Sequence, residues 1–128
     1  MKNYWDVDAL SAVYLEDSYV LDIAEAPGEL KFRMEVVLTE QHPAYRPPRP
    51  NEQYCYANGW LVLSSITRTE WESRSTQRYT DATGEEDLGN IDFLERKDDH
   101  WWIGGDWGEV RVYTSADPQL VLTEPVAT

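Results

Sequence analysis

The sequence has one cysteine, two histidines, two phenylalanines and only 11 lysines and arginines against 24 acids. A single cysteine, Cys55, excludes an internal disulfide, and with the two histidines it leaves too few soft ligands for a structural zinc site. His42, Cys55 and His100 lie in separate segments, with no C-x-x-C, H-x-x-x-H or H-E-x-x-H spacing. A Cys-His dyad needs proximity in space rather than in sequence. However, Cys55 sits inside "YCY", where a strand buries a small inert thiol. G-x-S-x-G and P-loop patterns are also missing, and no motif asks for a cofactor or a metal. No apolar run approaches the roughly 18 residues of a membrane-spanning helix. The N-terminus, "MKNYWDVDALSAVYLEDSY", lacks the basic and apolar regions of a signal peptide. With one cysteine, that pattern predicts a cytosolic protein.

The shortage of basic residues leaves a formal net charge of −13. It falls unevenly: −6 over residues 1–30, +2 over 31–80 and −9 over 81–128. Nucleic acid and anionic membranes need Lys and Arg, so both are disfavoured as partners. A basic protein or a cation is attracted instead. Acidity also serves plain solubility.

The chain is rich in aromatics, with six tryptophans and eight tyrosines, which suffices for one packed core over residues 1–128. Its apolar residues recur with period two. Tyr19, Leu21 and Ile23 alternate with Val20, Asp22 and Ala24. After a turn at Pro27-Gly28, the residues Leu30, Phe32, Met34, Val36 and Leu38 alternate with Lys31, Arg33, Glu35, Val37 and Thr39. Residues 18–39 thus read as a hairpin with one buried face. Asn58-Gly59, between two aromatic-aliphatic runs, signals a second hairpin that pairs Tyr56 with Leu61 and Tyr54 with Leu63. The segments "IDFLE", "WWIGGDWGEVRVYTS" and "QLVLT" read as further strands, with residues 73–90 as a polar loop or poor edge strand. The only helical candidate is "DVDALSAVY", capped by Asp6 or Asp8. No repeat or heptad occurs. The fold expected is all-β, an antiparallel two-sheet sandwich or partly open barrel of about seven or eight strands, with at most one short N-terminal helix. The core expected is Leu21, Ile23, Leu30, Phe32, Met34, Val36, Leu38, Leu61, Leu63, Ile66, Ile91, Phe93, Val110, Val112 and Leu122.

Three stretches carry the functional candidates. "HWWIGGDWGEV" (100–110) is either a stacking surface for a sugar or base, through Trp101, Trp102 and Trp107 with Asp106, or a core strand kinked at glycine. Alternation puts Trp101 and Ile103 on one face and Trp102 on the other, and two of the three rings are expected in the core. Asp106 is the acid to test for catalysis, against the reading that it bonds its own turn. "DATGEEDLGNID" (81–92) resembles the oxygen spacing of a calcium loop. It has Glu86 where glycine is needed and no flanking helices, so a solvated or docking loop fits better. "HPAYRPPRPNEQYCY" could serve as a proline ligand for a partner, but reads better as a loop that covers a sheet edge.

In the order of "LEDSYVLDI", a hairpin strand, "CYANGWLVLSSITRTEW", "WWIGGDWGEVRVY" and a final short strand, residues 15–122 resemble small acidic β-rich immunity-type proteins of bacterial toxin systems. The proline loop departs from that pattern, and the resemblance carries over no catalytic residue. It implies a non-enzymatic protein that covers a basic toxin, such as a nuclease, with an acidic face. The acids expected to dock the partner are Asp81, Glu85, Glu86, Asp87, Asp98 and Asp99. The alternative is a carbohydrate- or small-ligand-binding β module using exposed tryptophans.

Overall fold

The computed structural model describes residues 2–75, 78–80 and 86–123. Among these, eleven strands form: β1 (Lys2–Asn3), β2 (Val13–Ala26), β3 (Glu29–Leu38), β4 (Cys55–Leu63), β5 (Arg68–Arg74), β6 (Tyr79–Thr80), β7 (Glu86–Asp87), β8 (Ile91–Arg96), β9 (His100–Gly105), β10 (Gly108–Tyr113) and β11 (Gln119–Leu122). Eight of them are longer than two residues, matching the expected number. They build two antiparallel sheets, ordered β1-β8-β9-β10-β5 and β11-β4-β3-β2, while β6 and β7 pair separately. The all-β sandwich is therefore observed, and it is not closed into a barrel. No described helix is long and apolar enough to cross a membrane. The N-terminal helical candidate appears only as two 3-10 turns, Tyr4–Asp6 and Asp8–Leu10.

The first hairpin forms around Pro27-Gly28, with Ala26 opposite Glu29. Gly28 adopts φ +74, the left-handed conformation that glycine reaches without a Cβ clash. Along β3 the expected alternation holds, since Leu30, Phe32, Met34, Val36 and Leu38 are all buried.

Asn58-Gly59 is not a turn. β4 runs straight through it, with Asn58 opposite Glu35, Gly59 opposite Met34 and Leu61 opposite Phe32. Gly59 serves close approach instead, because a Cβ there would lie 2.8 Å from the Val121 carbonyl oxygen of β11. The pairings Tyr56–Leu61 and Tyr54–Leu63 do not form; Tyr56 faces Val37.

Two irregularities switch faces that simple alternation cannot follow. The β2–β3 register shifts between Val20 and Asp22, so Val20 is fully buried and Leu21 only half. The β8–β9 register shifts between Ile91 and Phe93, so Leu94 enters the core and Phe93 stays half-exposed on the outer face. A further irregularity between Tyr14 and Tyr19 is filled by Ser18. Its hydroxyl accepts from the Val37 N–H (2.8 Å) and donates to the Tyr14 carbonyl (2.7 Å). Ile23 and Ile66 are partly buried against the core, and Leu122 is half-buried.

The core reaches beyond the expected set to Tyr4, Val7, Leu10, Val13, Leu15, Trp101, Ile103 and Trp107. The sheets are joined at two places along β2. Val20 exchanges backbone hydrogen bonds with Gly89 and Leu88, each 2.8 Å. Further on, the Glu25 carboxylate accepts from Arg74 (2.7 Å) and from Trp71 Nε1 (3.2 Å) on β5, and the Arg74 bond holds its pKa below the usual range.

Candidate functional site

The β9–β10 hairpin turns at Asp106-Trp107, with Gly105 opposite Gly108. Trp101 and Ile103 point into the core, and so does the turn residue Trp107. Both indoles have 0% exposure. The Trp107 ring packs 5.0 Å from Phe32 and edge-on to Trp71 at 6.0 Å, and its Nε1 donates to the Asn90 carbonyl at 3.0 Å. Trp101 Nε1 donates to the Ala116 carbonyl. Trp101 and Trp107 are thus structural, and neither offers a ring face to a ligand. Trp102 lies on the outer face, half-buried, with Phe93 at 4.4 Å on one side and the Lys97 ammonium 4.8 Å from its ring centre. Its Nε1 donates to Glu109 at 2.6 Å. Gly104 leaves the room that the Phe93 ring fills. Partners already occupy Trp102 from several directions, so it is no open platform.

Asp106 is exposed in the turn, and among the described residues no hydrogen bond ties its carboxylate to that turn. It lies over Gly89 instead, where an added Cβ would come 2.5 Å from Oδ2. Gly89 has φ +102, and its N–H donates to Asp87 Oδ1 at 2.8 Å. The two acids therefore flank one glycine. Asp92, two residues past Asn90, lies within reach of the Asp106 charge: its pKa is raised, first by partial burial, then by the charges of Asp106 and Glu16. Among the described residues no cation pairs with Asp87, Asp92 or Asp106. A raised native pKa means stability that is full below the unfolded carboxylate value and lost as pH rises through the folded one. Asp92→Asn should therefore stabilise the fold by a few tenths of a kcal/mol near neutrality, a small value because the group is exposed. The gain should vanish at about pH 3, as urea denaturation at both pH values would show.

The other expected docking acids separate. Glu86 and Asp87 form β7, ahead of β8 in the chain, whereas Asp98 and Asp99 sit in the turn after β8. The intervening strand holds them roughly 20 Å apart. Of these two, the Asp99 side chain is internally engaged. Asp99 bonds His100 Nδ1 at 2.8 Å, which lowers its pKa, and Arg96 donates to the Asp98 and Thr114 carbonyls. Asp81 and Glu85 lie outside the described residues, as does part of the calcium-like loop. Glu86 and Asp87 are strand residues, and no group of three metal-ligating side chains occurs among the described residues.

The Cys-His dyad does not assemble. Cys55 is buried beside the Arg46 N–H (3.5 Å), His42 Nδ1 accepts from Ala44, and His100 is held by Asp99. The proline loop shares a groove with Tyr14 of the edge strand β2. It joins the adjacent central strands β3 and β4 and walls an open groove of about 330 Å³ at their ends. Tyr14, Tyr45 and Tyr54 line that groove, and sequence reasoning missed them. The available signal was the Tyr54/Tyr56 alternation, which gains meaning only once Val37 is known to lie between Tyr14 and Tyr56. Comparison with known proteins returns no match, whether to a family profile, a curated protein or a solved structure.

Proposed function

We propose that this chain is a non-enzymatic binding module that docks a basic protein through the acidic end of its sandwich. The observation that carries this reading is that Asp87 and Asp106 flank Gly89, while the charge of Asp106 reaches Asp92. Asp92 and Asp106 repel each other, and no described cation relieves them. A Lys/Arg-rich surface would do so, and the −13 chain would steer it in. This moves the docking face from the Asp98-Asp99 turn, where Asp99 is held by His100, to the opposite end of β8. In the immunity-type reading the partner is a basic toxin, such as a nuclease.

The test is affinity capture from a lysate of the encoding organism at low and moderate salt, with the Asp87→Asn/Asp92→Asn/Asp106→Asn variant in parallel. A basic protein retained at low salt, released as salt rises and lost with the variant is the expected result. Association of that protein should slow by about tenfold in the variant, and its salt dependence should flatten. Capture that is indifferent to both salt and variant would overturn the proposal.

A further inference from the structure

The groove at the far ends of β3 and β4 is independent of the acidic end. Its floor is Val37, an outer-face residue that is nonetheless 2% exposed and belongs to no part of the inter-sheet core. Tyr14 and Tyr56 lie directly across the strands from it on either side. Tyr14 keeps 43% of its surface exposed. Tyr54 is held from behind: its hydroxyl donates to Asp17 at 2.8 Å and its ring meets Tyr56 edge-on at 6.1 Å. Tyr56 in turn packs 6.2 Å from Tyr19. Tyr54 is thus fixed before any ligand arrives, which removes part of the ordering cost of binding. Because the Tyr54 hydroxyl is committed to Asp17, that residue offers its ring.

The polar lining comes from the loop: Glu40, Gln41 and Gln53. The Thr39 hydroxyl lies 3.0 Å from Gln41 Oε1, which leaves the Gln41 amide NH₂ as a donor. The groove therefore combines ring faces, amide donors and a carboxylate acceptor in about 330 Å³, at the small end of ligand sites.

We propose that this groove binds a neutral saccharide of one or two sugar rings. A sugar's C–H face stacks on tyrosine, and its hydroxyls both donate and accept, so they satisfy Glu40 and the two glutamines together. Anionic ligands are repelled by Glu40 and by the chain's net charge. A proline-rich segment could use the same rings, but proline lacks an N–H and its carbonyls only accept, so it leaves Glu40 without a partner.

The test is titration of the whole chain with cellobiose, maltose, xylobiose and chitobiose, followed by amide and tyrosine NMR shifts. A proline-arginine peptide serves as the comparison ligand. At least one disaccharide should shift Gln41, Gln53 and Tyr54 saturably at millimolar concentration. Tyr14→Ala should weaken it by roughly tenfold. Tyr14→Phe should bind as the parent does, because the ring face is the contact, and should melt with the parent; Tyr14→Ala also uncovers part of Val37, so its affinity is measured at a temperature where circular dichroism shows it folded. The proposal is overturned if no disaccharide moves these resonances, if Tyr14→Ala leaves the affinity unchanged, or if only the peptide moves them.

Discussion

Replacing Trp107 by alanine is expected to lower the unfolding free energy by about 3–5 kcal/mol, the usual cost of deleting a buried aromatic side chain. Three losses combine at this position. The indole is completely buried, so its removal opens a cavity between the sheets. Phe32 on one sheet and Trp71 on the other lose the ring that joins them. The Asn90 carbonyl loses the Nε1–H that satisfies it, and an unpaired buried acceptor costs about 1–3 kcal/mol. Trp107→Phe should keep most of the packing and lose the hydrogen bond, so its cost should fall between those of the parent and the alanine variant. Urea denaturation followed by far-ultraviolet circular dichroism measures both. A domain of this size has about 5–15 kcal/mol in all, so the alanine variant should be visibly close to unfolding. A stacking residue would give the opposite outcome: ligand affinity lost and stability within about 0.5 kcal/mol of the parent. That result would return Trp107 to the surface.

The same indole shows what a sequence can and cannot convey. Period-two alternation along 30–38 maps directly onto the buried face of β3, because a strand between two neighbours has no freedom to slip. Pro27-Gly28 is legible because the local chemistry of a proline followed by a left-handed glycine dictates the turn. Asn58-Gly59 misleads because the same dipeptide meets a second demand, the approach of β11 over Gly59, which only the tertiary pairing reveals. One extra residue near Leu21 and another near Asp92 invert the faces that follow, and no local pattern marks either. Functional grouping is harder still to read. Asp106 resembles an ordinary turn acid, and Asp87 and Asp92 resemble a solvated loop. They converge because the β9–β10 turn lies against the segment leading into β8. Asp98 and Asp99 look equivalent in sequence, yet the length of β8 carries them to the other end.

That convergence depends on a glycine whose replacement should be almost as damaging as that of Trp107. Gly105 lies opposite Ile91 on β8 and Gly108 on β10. Its φ lies outside the left-handed region, so alanine there meets no backbone strain. The obstacle is steric: a Cβ would run into the Asn90 carbonyl oxygen and lie 2.8 Å from Trp107 Nε1. The main-chain group it strikes cannot rotate away, and that group is the acceptor of the Trp107 hydrogen bond. Gly105→Ala should therefore cost about 2–4 kcal/mol, overpacking plus a disturbed hydrogen bond. Gly28→Ala is the control. It has open space, with the nearest atom 3.9 Å away, but a φ of +74, so its cost should be only about 1–2 kcal/mol. Gly105→Ala and Trp107→Phe should also be non-additive, because each damages the contact of Nε1 with Asn90 and that contact can be lost only once. The double variant should fall short of the summed costs by about 0.5–1.5 kcal/mol in a double-mutant cycle. Strict additivity would mean that Gly105 is required for strand pairing alone. Coupling would mean that Gly105, Trp107 and Asn90 act as one clamp that holds Asp106 over Gly89. Gly105→Ala should then also weaken capture of the basic partner at temperatures where the sandwich remains folded.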